Sequence, residues 1–407
     1  MKAIEYYLEQ HRILLFFALF LFFACVLFLF RNTGLIVDEH ESLPQIINFT
    51  NGDFRLLEIS AMPGYHAVMA ILVKISGQSS VFVVRCITTI FGFITAILFF
   101  KINRRIHNEN GILKTIQFVL FPSIFLYFFM IYTDILSLML VMLMLLFSLN
   151  KRYALAGLFG ILSMLVRQNN VIWTAFIPAV VYFETNGFSF SMDKILSVIR
   201  KTWVFFAGFA LFILFVIINK GVALGDSSSH PAFQFSTGNL FFMLFVFFVF
   251  FLPMNVANIP KIIELLKSNK WALLFSLVLF VTYWFTFKND HPYNQIEPHY
   301  FLRNLVLTRF TASEKMRLLF FFPMLFAFWS MAVTELSRKE WYLIYFFAIL
   351  FLLPSWLIEQ RYYIIPFMLF MLFKKNSSVW VDIVTILYFI IILCWLMPLV
   401  VSIRAFL

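Results

Sequence analysis

Residues Ile13–Phe30 read ILLFFALFLFFACVLFLF, and RNTGLIVDEHE follows from Arg31 to Glu41. Eighteen uncharged, almost wholly apolar residues approach the roughly 20 that a bilayer-crossing helix needs. An arginine and an acidic segment follow, with no small-residue cleavage site, so the run reads as a retained first span and not a removed leader. The rest of the chain has the same texture. Of 407 residues, 62% are hydrophobic and 13% charged, 58 are Phe, and mean hydropathy is +0.92. Soluble domains carry roughly 25% charged residues. So little charge cannot cover a water-exposed surface, which excludes soluble, disordered and fibrous classes.

Further apolar runs occupy 80–100, 115–131, 133–149, 153–166, 170–183, 202–218, 238–256, 271–287, 318–334, 341–357, 361–373 and 379–400. The expectation is an all-α polytopic protein forming a single multi-pass domain over 1–407, with about 12–14 transmembrane helices. Several runs are short, as tilted or broken helices around a cavity would be. The Phe-rich runs show no periodicity, because helices in lipid are apolar all round. Cys25, Cys86 and Cys394 all lie in apolar runs, and an odd trio makes no disulfide framework.

The net charge of +11 speaks to orientation, not to nucleic acid. Segment 31–58 is acidic, with Asp38, Glu39, Glu41, Asp53 and Glu58 against Arg31 and Arg55. Turn 101–114 is basic, with Lys101, Arg104, Arg105 and Lys114. Positive-inside bias puts the first outside and the second in the cytosol. The apolar stretch 62–76 (MPGYHAVMAILVKIS) would reverse that order if it crossed, so it reads as an interfacial helix within the first non-cytosolic loop, 31–79. Lys151, Arg152, segment 184–201 and segment 261–270 then fall on the cytosolic side. Segment 298–317, interrupted by Arg303, Arg309, Lys315 and Arg317, either re-enters the membrane or lies along it.

The longest polar stretch is about thirty residues, too short for an extramembrane catalytic domain. There is no P-loop, no dinucleotide-binding glycine pattern and no Asp-x-Asp for a metal-bound nucleotide sugar. Chemistry, if present, sits at the membrane surface, and a co-substrate arrives on a lipid carrier. Val37-Asp38-Glu39-His40-Glu41 offers adjacent carboxylates at a boundary where desolvation raises basicity. The same loop reads equally as a solvated acidic segment, and its spacing is diagnostic of no metal. Arg167-Gln168-Asn169-Asn170 places an arginine on the acidic side, either as an anion grip or as a snorkelling side chain. Asp134 reads first as a helix cap and second as a catalytic group. Asp226, Ser228 and His230 sit in one polar turn, and His291, Tyr293, His299 and Tyr300 in another. Glu359 and Arg361 form the charged insertion between the last runs.

Taken in order, these residues resemble one family. Asp38-Glu39, Pro63-Gly64-Tyr65, Phe121-Pro122, Tyr132-Thr133-Asp134, Arg167-Gln168 with Trp173, Gly225-Asp226 with Ser228, Ser229 and His230, His291-Pro292-Tyr293 with His299-Tyr300, and Glu359 to Pro366 look like the dolichyl-phosphate-glucose-dependent α-1,2-glucosyltransferases. Those enzymes add the terminal glucose to the lipid-linked oligosaccharide of N-glycosylation. The likeness runs from about residue 36 to 370. Asn169 stands where the family usually has Thr, and the run after Tyr293 is less charged than usual.

The resemblance implies a membrane glycosyltransferase fold of the GT-C type with a lumenal site, in the endoplasmic reticulum if the host is eukaryotic and the inner membrane if bacterial. It implies a polyprenyl (dolichyl) phosphate sugar donor, a lipid-linked glycan acceptor, membrane lipid as surroundings, and neither cofactor nor nucleic acid. It further implies inversion, which needs one base and no acid for the departing phosphate. Asp38 is expected as the base, with Glu39 its competitor. Arg167, Gln168, Arg303 and Arg361, with His299 and Tyr300, are expected at the donor phosphate. Asp134, Asp226, Ser228, His230, His291, Tyr293 and Glu359 are expected around the sugars. The rivals are the same chemistry with another sugar or an envelope glycan, and a lipid-linked-sugar flippase or transporter. A flippase would line a path with polar residues along its helices, whereas here they gather on one face.

Overall fold

The computed structural model describes residues 10–57, 59–107, 111–224, 234–296 and 300–407. Asp226, Ser228, His230 and His299 lie outside the described residues.

The described residues are overwhelmingly helical; their extended pairings are two isolated bridges, Phe301 with Phe406 and Leu336 with Lys374. A chain buried in hydrocarbon must satisfy its backbone within each segment, and helices do so. Arg12–Leu29, Val81–His107, Glu314–Val333 and Val379–Val401 are each long and apolar enough to cross alone. Three further pairs reach that length only as bent couples: Ile112–Leu120 with Pro122–Phe129 (64°), Met192–Lys201 with Trp203–Asn219 (86°), and Ile259–Ser268 with Lys270–Thr286 (105°). Gly64–Ser76, Thr133–Leu149, Tyr153–Val166 and Gly238–Phe250 are shorter apolar helices. Exposed positions include Ile13, Ile218, Ile391 and Trp395, while Glu39, Arg85, Gln117 and Asp134 are buried. Apolar outside and selectively polar inside is the arrangement lipid favours. The protein is an all-α, polytopic membrane protein.

Several expected runs are broken. Run 115–131 is interrupted at Phe121, because Pro122 lacks an N–H and pushes its predecessor away from helical geometry. Run 238–256 breaks at Phe251, again just before a helix with proline in its first turn. Segment 298–317 holds a ten-residue helix, Leu302–Thr311, before Ser313 caps Glu314–Val333. Ten residues rise only about 15 Å, half a bilayer core.

The chain divides into two compact units. The first comprises Met1–Thr115, Phe125–Ala232 and Arg338–Phe347, the second Ile116–Ile124, Phe233–Ser337 and Ala348–Leu407. In the first, small residues let helices approach closely. A Cβ added at Gly157 would lie 2.7 Å from the Val204 Cβ, and one at Gly208 would lie 2.7 Å from Ile161. The loop 31–79 carries two helices and not one. Glu39–Thr50 and Gly64–Ser76 pack through Leu43, Ile46, Tyr65, Met69 and Val73 onto Ile131, Leu136, Leu140 and Val166. In the second unit, aromatic edges do the packing. Phe121 meets Phe250, Phe251, Phe367 and Phe389 at centroid distances of 5.4–5.9 Å.

Candidate active site

In the first unit, Asp38 stands at the N-cap position of Glu39–Thr50, half-buried, and does not use its side chain to cap the helix. The residue before it, Val37, has φ 47°, a left-handed conformation that costs a β-branched residue about 1–3 kcal/mol. The surroundings enforce it. Tyr132 accepts a hydrogen bond from the Asp38 N–H (3.2 Å) and donates to the Ile36 carbonyl (3.4 Å). Glu39 is fully buried and accepts from the N–H groups of Ile36 (2.9 Å) and Ile131 (2.8 Å). Its two oxygens also receive Arg85 Nε (3.0 Å) and Nη2 (2.5 Å). The rest of the Arg85 fork donates to the carbonyls of Phe30, Thr33 and Gly34 at 2.8–2.9 Å. All five guanidinium N–H directions and all four carboxylate lone pairs are thereby used. Of the adjacent carboxylates, Glu39 is consumed by the framework, which also fixes the backbone of Asp38.

The same turn leads to the second pair. Asp134 lies inside the first turn of Thr133–Leu149, whose N-cap is Tyr132, so it is not the helix cap. Its carboxylate forms an ion pair with Arg167, on extended backbone just after Tyr153–Val166. Its other oxygen, Oδ2, is buried with no hydrogen-bond partner. Gln168 Nε2 donates to the Ser60 carbonyl (2.9 Å), and Asn170 ties Ser137 to the Ser163 carbonyl. Gly64 matters here because a Cβ at that position would sit 2.3 Å from the Leu165 carbonyl oxygen. In loop 31–79, hydrogen bonds from Arg55 hold the Asp53 carboxyl down at about 2.

In the second unit the balance of charge is reversed. Glu359 forms a buried ion pair with Arg303, and its other oxygen lies 3.5 Å from Arg361 Nε. Arg303 also lies over the Phe301 ring (4.7 Å). Two guanidiniums thus share one carboxylate. Asparagines hold the segment in place. Asn239 donates to the carbonyls of Ser355 and Leu357 and accepts from Glu359 N–H and the Tyr363 hydroxyl. Asn294 exchanges bonds with Ile358 (2.8 and 3.0 Å), and Asn304 donates to the Tyr293 and Ile296 carbonyls. His291 is buried, accepts from the Tyr293 N–H through Nδ1 (3.1 Å) and packs its ring on Trp356 (4.6 Å). Tyr293 is exposed, and the Tyr300 carbonyl accepts from Phe406 N–H (2.7 Å).

The first unit therefore groups Asp38, Glu39, Asp134, Arg167 and Gln168, and the second groups His291, Tyr293, Tyr300, Arg303, Glu359 and Arg361. Sequence reasoning passed over Arg85, a lone arginine in run 80–100, and Tyr132. It also passed over Asn239, Asn294 and Asn304. An ionisable residue in a span is a signal by itself, and Arg85 carried it.

Residues 32–189 and 184–372 match the DIE2/ALG10 family. The chain belongs to that family. Relatives named Dol-P-Glc:Glc(2)Man(9)GlcNAc(2)-PP-Dol alpha-1,2-glucosyltransferase include a human protein, 24% identical over 86% of each chain. One from Arabidopsis thaliana is 25% identical over 84% of this chain and 86% of its own. One from Candida albicans is 24% identical over 66% and 64%. No solved structure matches. The DIE2/ALG10 match spans both units, so both charge clusters lie within the family region. Membership makes the chain a membrane glycosyltransferase.

Proposed function

We propose that the protein transfers glucose from dolichyl phosphate glucose to a lipid-linked oligosaccharide, forming an α-1,2 linkage with inversion, on the lumenal face of the endoplasmic reticulum membrane. Its relatives are named for that donor, acceptor and linkage, which supports the reading, and a fold of the GT-C type is part of the proposal. Asp38 takes the proton of the acceptor hydroxyl as that oxygen attacks the anomeric carbon. The carbon–oxygen bond to phosphate breaks, and dolichyl phosphate leaves without needing an acid.

The observation that carries this reading is the locked Glu39–Arg85 pair beside Asp38. In the first unit Glu39 is held by Arg85 in a fully used hydrogen-bond set and Asp134 is paired with Arg167, and the reading takes the half-buried Asp38, whose backbone N–H is fixed by Tyr132, as the base. In the second unit Arg303 and Arg361 gather on one carboxylate, Glu359, and two neighbouring guanidiniums suit a phosphate. Arg303 and Arg361 bind the donor phosphate. Arg167, held by Asp134, and Gln168 join them at the donor phosphate, and Glu39 positions the turn that carries Asp38. Asp226, Ser228, His230, His291, Tyr293, His299 and Tyr300 complete the sugar and phosphate contacts.

The test is transfer of labelled glucose from dolichyl phosphate glucose to a glucose-acceptor lipid-linked glycan by purified protein. A general base contributes about 10²–10⁴ in rate. Asp38→Asn is expected to lose at least about a hundredfold of kcat/KM while unfolding at the parent temperature. Parent-like activity in that variant overturns the base assignment.

A further inference from the structure

Two helices far from these clusters in sequence share one construction. Met192–Lys201 in the first unit and Ile259–Ser268 in the second each have ten residues, and each bends sharply into an apolar helix, by 86° and 105°. In the first, Met192, Ile195, Leu196 and Ile199 recur at the spacing of one helix face. Met192, Ile195 and Leu196 are exposed, while Val198, off that stripe, is buried. In the second, Ile259 and Ile263 are exposed, while Ile262 packs on Ala272 and Trp329. A shallow groove runs along its outer side, lined by Ile259, Pro260, Ile263, Glu264, Lys267 and Ser268.

Each helix carries cations beside its exposed stripe. Lys194, Arg200 and Lys201 stand against Asp193, and Lys261 and Lys267, with Lys270 at the start of the following helix, against Glu264, with Glu335 offsetting part of the Lys261 charge. At each bend a tryptophan stands in the first turn of the following helix, Trp203 at 61% exposure and Trp271 at 66%. The apolar stripe then continues into exposed side chains of that helix, Phe206 in one case and Leu273 and Leu274 in the other.

We propose that both helices lie in the membrane interface and bind anionic phospholipid headgroups through these six cations. A bend near 90° lets the apolar member, 17 residues long and rising about 25 Å, enter the bilayer while the preceding helix lies along its surface. There an apolar stripe enters the acyl boundary, and lysines and arginines meet headgroup phosphates and carboxylates. Tryptophan at the junction is the usual interfacial anchor. Two or three exposed apolar side chains per helix are too few for a stable protein interface, which takes roughly 800 Å² from each partner. The continuous belt with the neighbouring span fits lipid.

The experiment uses the full chain in nanodiscs of phosphatidylcholine with and without phosphatidylserine. Cys25, Cys86 and Cys394 are replaced by Ser, and a bimane label is placed at Ile195→Cys or Ile263→Cys. The expected result is stronger quenching by lipid spin-labelled near the headgroup than by deep-labelled lipid. Native mass spectra are expected to show phosphatidylserine retained by the parent and by a Lys→Arg version of the five lysines. Severalfold less is expected in Lys194→Gln/Arg200→Gln/Lys201→Gln and in Lys261→Gln/Lys267→Gln/Lys270→Gln. Quenching by aqueous iodide and not by lipid overturns the proposal. So does protection from both quenchers, as a protein partner gives, or equal phosphatidylserine retention in the Gln variants.

Discussion

Asp38 and Glu39 are neighbours of the same chemical type, and their difference is made by one residue 46 positions away. Arg85 binds Glu39 with two donors and three loop carbonyls with the rest. Removing one partner of a buried pair leaves an uncompensated charge, at a cost of about 3–5 kcal/mol. Glu39→Ala and Arg85→Ala are each expected to lower unfolding free energy by that order in detergent. The double variant is expected to cost less than the two singles together. Arg85→Lys does not restore the parent, because an ammonium has three donors where five are used. A strictly additive cycle would show that the pair is not coupled. The sequence made the carboxylate loop legible as a candidate site, yet it could not rank the two acids. Burial and hydrogen bonding decide which is spent, and both come from Arg85, Tyr132 and the Ile131 N–H on other elements. The same applies to Asp134, whose position before an apolar helix reads as a cap although tertiary contact gives it to Arg167.

At the scale of elements, the apolar runs were legible because bilayer thickness sets a length and excludes charge. Their breaks were less so. Phe121-Pro122 announces one break through proline chemistry, whereas the 86° turn at Thr202 carries no proline or glycine. The helix Glu39–Thr50 was hidden by its charge and by Pro44, although Leu43, Ile46, Ile47 and Thr50 repeat at helical spacing. What fixes that helical pair on the first unit is backbone proximity at Gly64. A methyl group there would meet the Leu165 carbonyl at 2.3 Å, an approach that backbone cannot relieve by a rotamer change. Gly64→Ala is expected to displace Gly64–Ser76 from Tyr153–Val166. Overpacking of this kind costs about 1–3 kcal/mol. Because Arg167 lies two residues beyond Leu165, transfer activity is expected to fall along with stability. Gly52→Ala, with no neighbour within 4 Å but φ 84°, separates backbone strain from crowding. Equal melting temperatures for parent and Gly64→Ala would remove the steric argument.

For the whole molecule, the proposed orientation rests on sorting scarce charge, acidic over 31–58 and basic over 101–114, and it decides which side the proposed reaction occupies. The native sequons test it poorly. Asn48 lies in the last turn of Glu39–Thr50, half-buried, and its carbonyl accepts from Asn51 and Asp53 N–H groups. The Thr50 hydroxyl donates to the Ile46 carbonyl at 2.8 Å. An acceptor triplet locked in a helix is poorly placed to enter a transferase, so an unmodified Asn48 says little about side. Three residues on, Asn51 and Gly52 are exposed beyond the helix end. Asp53→Thr therefore builds an accessible triplet at Asn51 and sacrifices only an exposed Asp53–Arg55 pair, worth little to stability. Synthesis of that variant in eukaryotic microsomes is expected to add one endoglycosidase-sensitive glycan, abolished by Asn51→Gln. Asn376, next to Lys374 and Lys375, is expected to stay unmodified. A glycan lost with Ser378→Ala, and none at Asn51, would invert the molecule. The acidic clamp around Asp38 would then face the cytosol, where a lumenal reaction cannot occur.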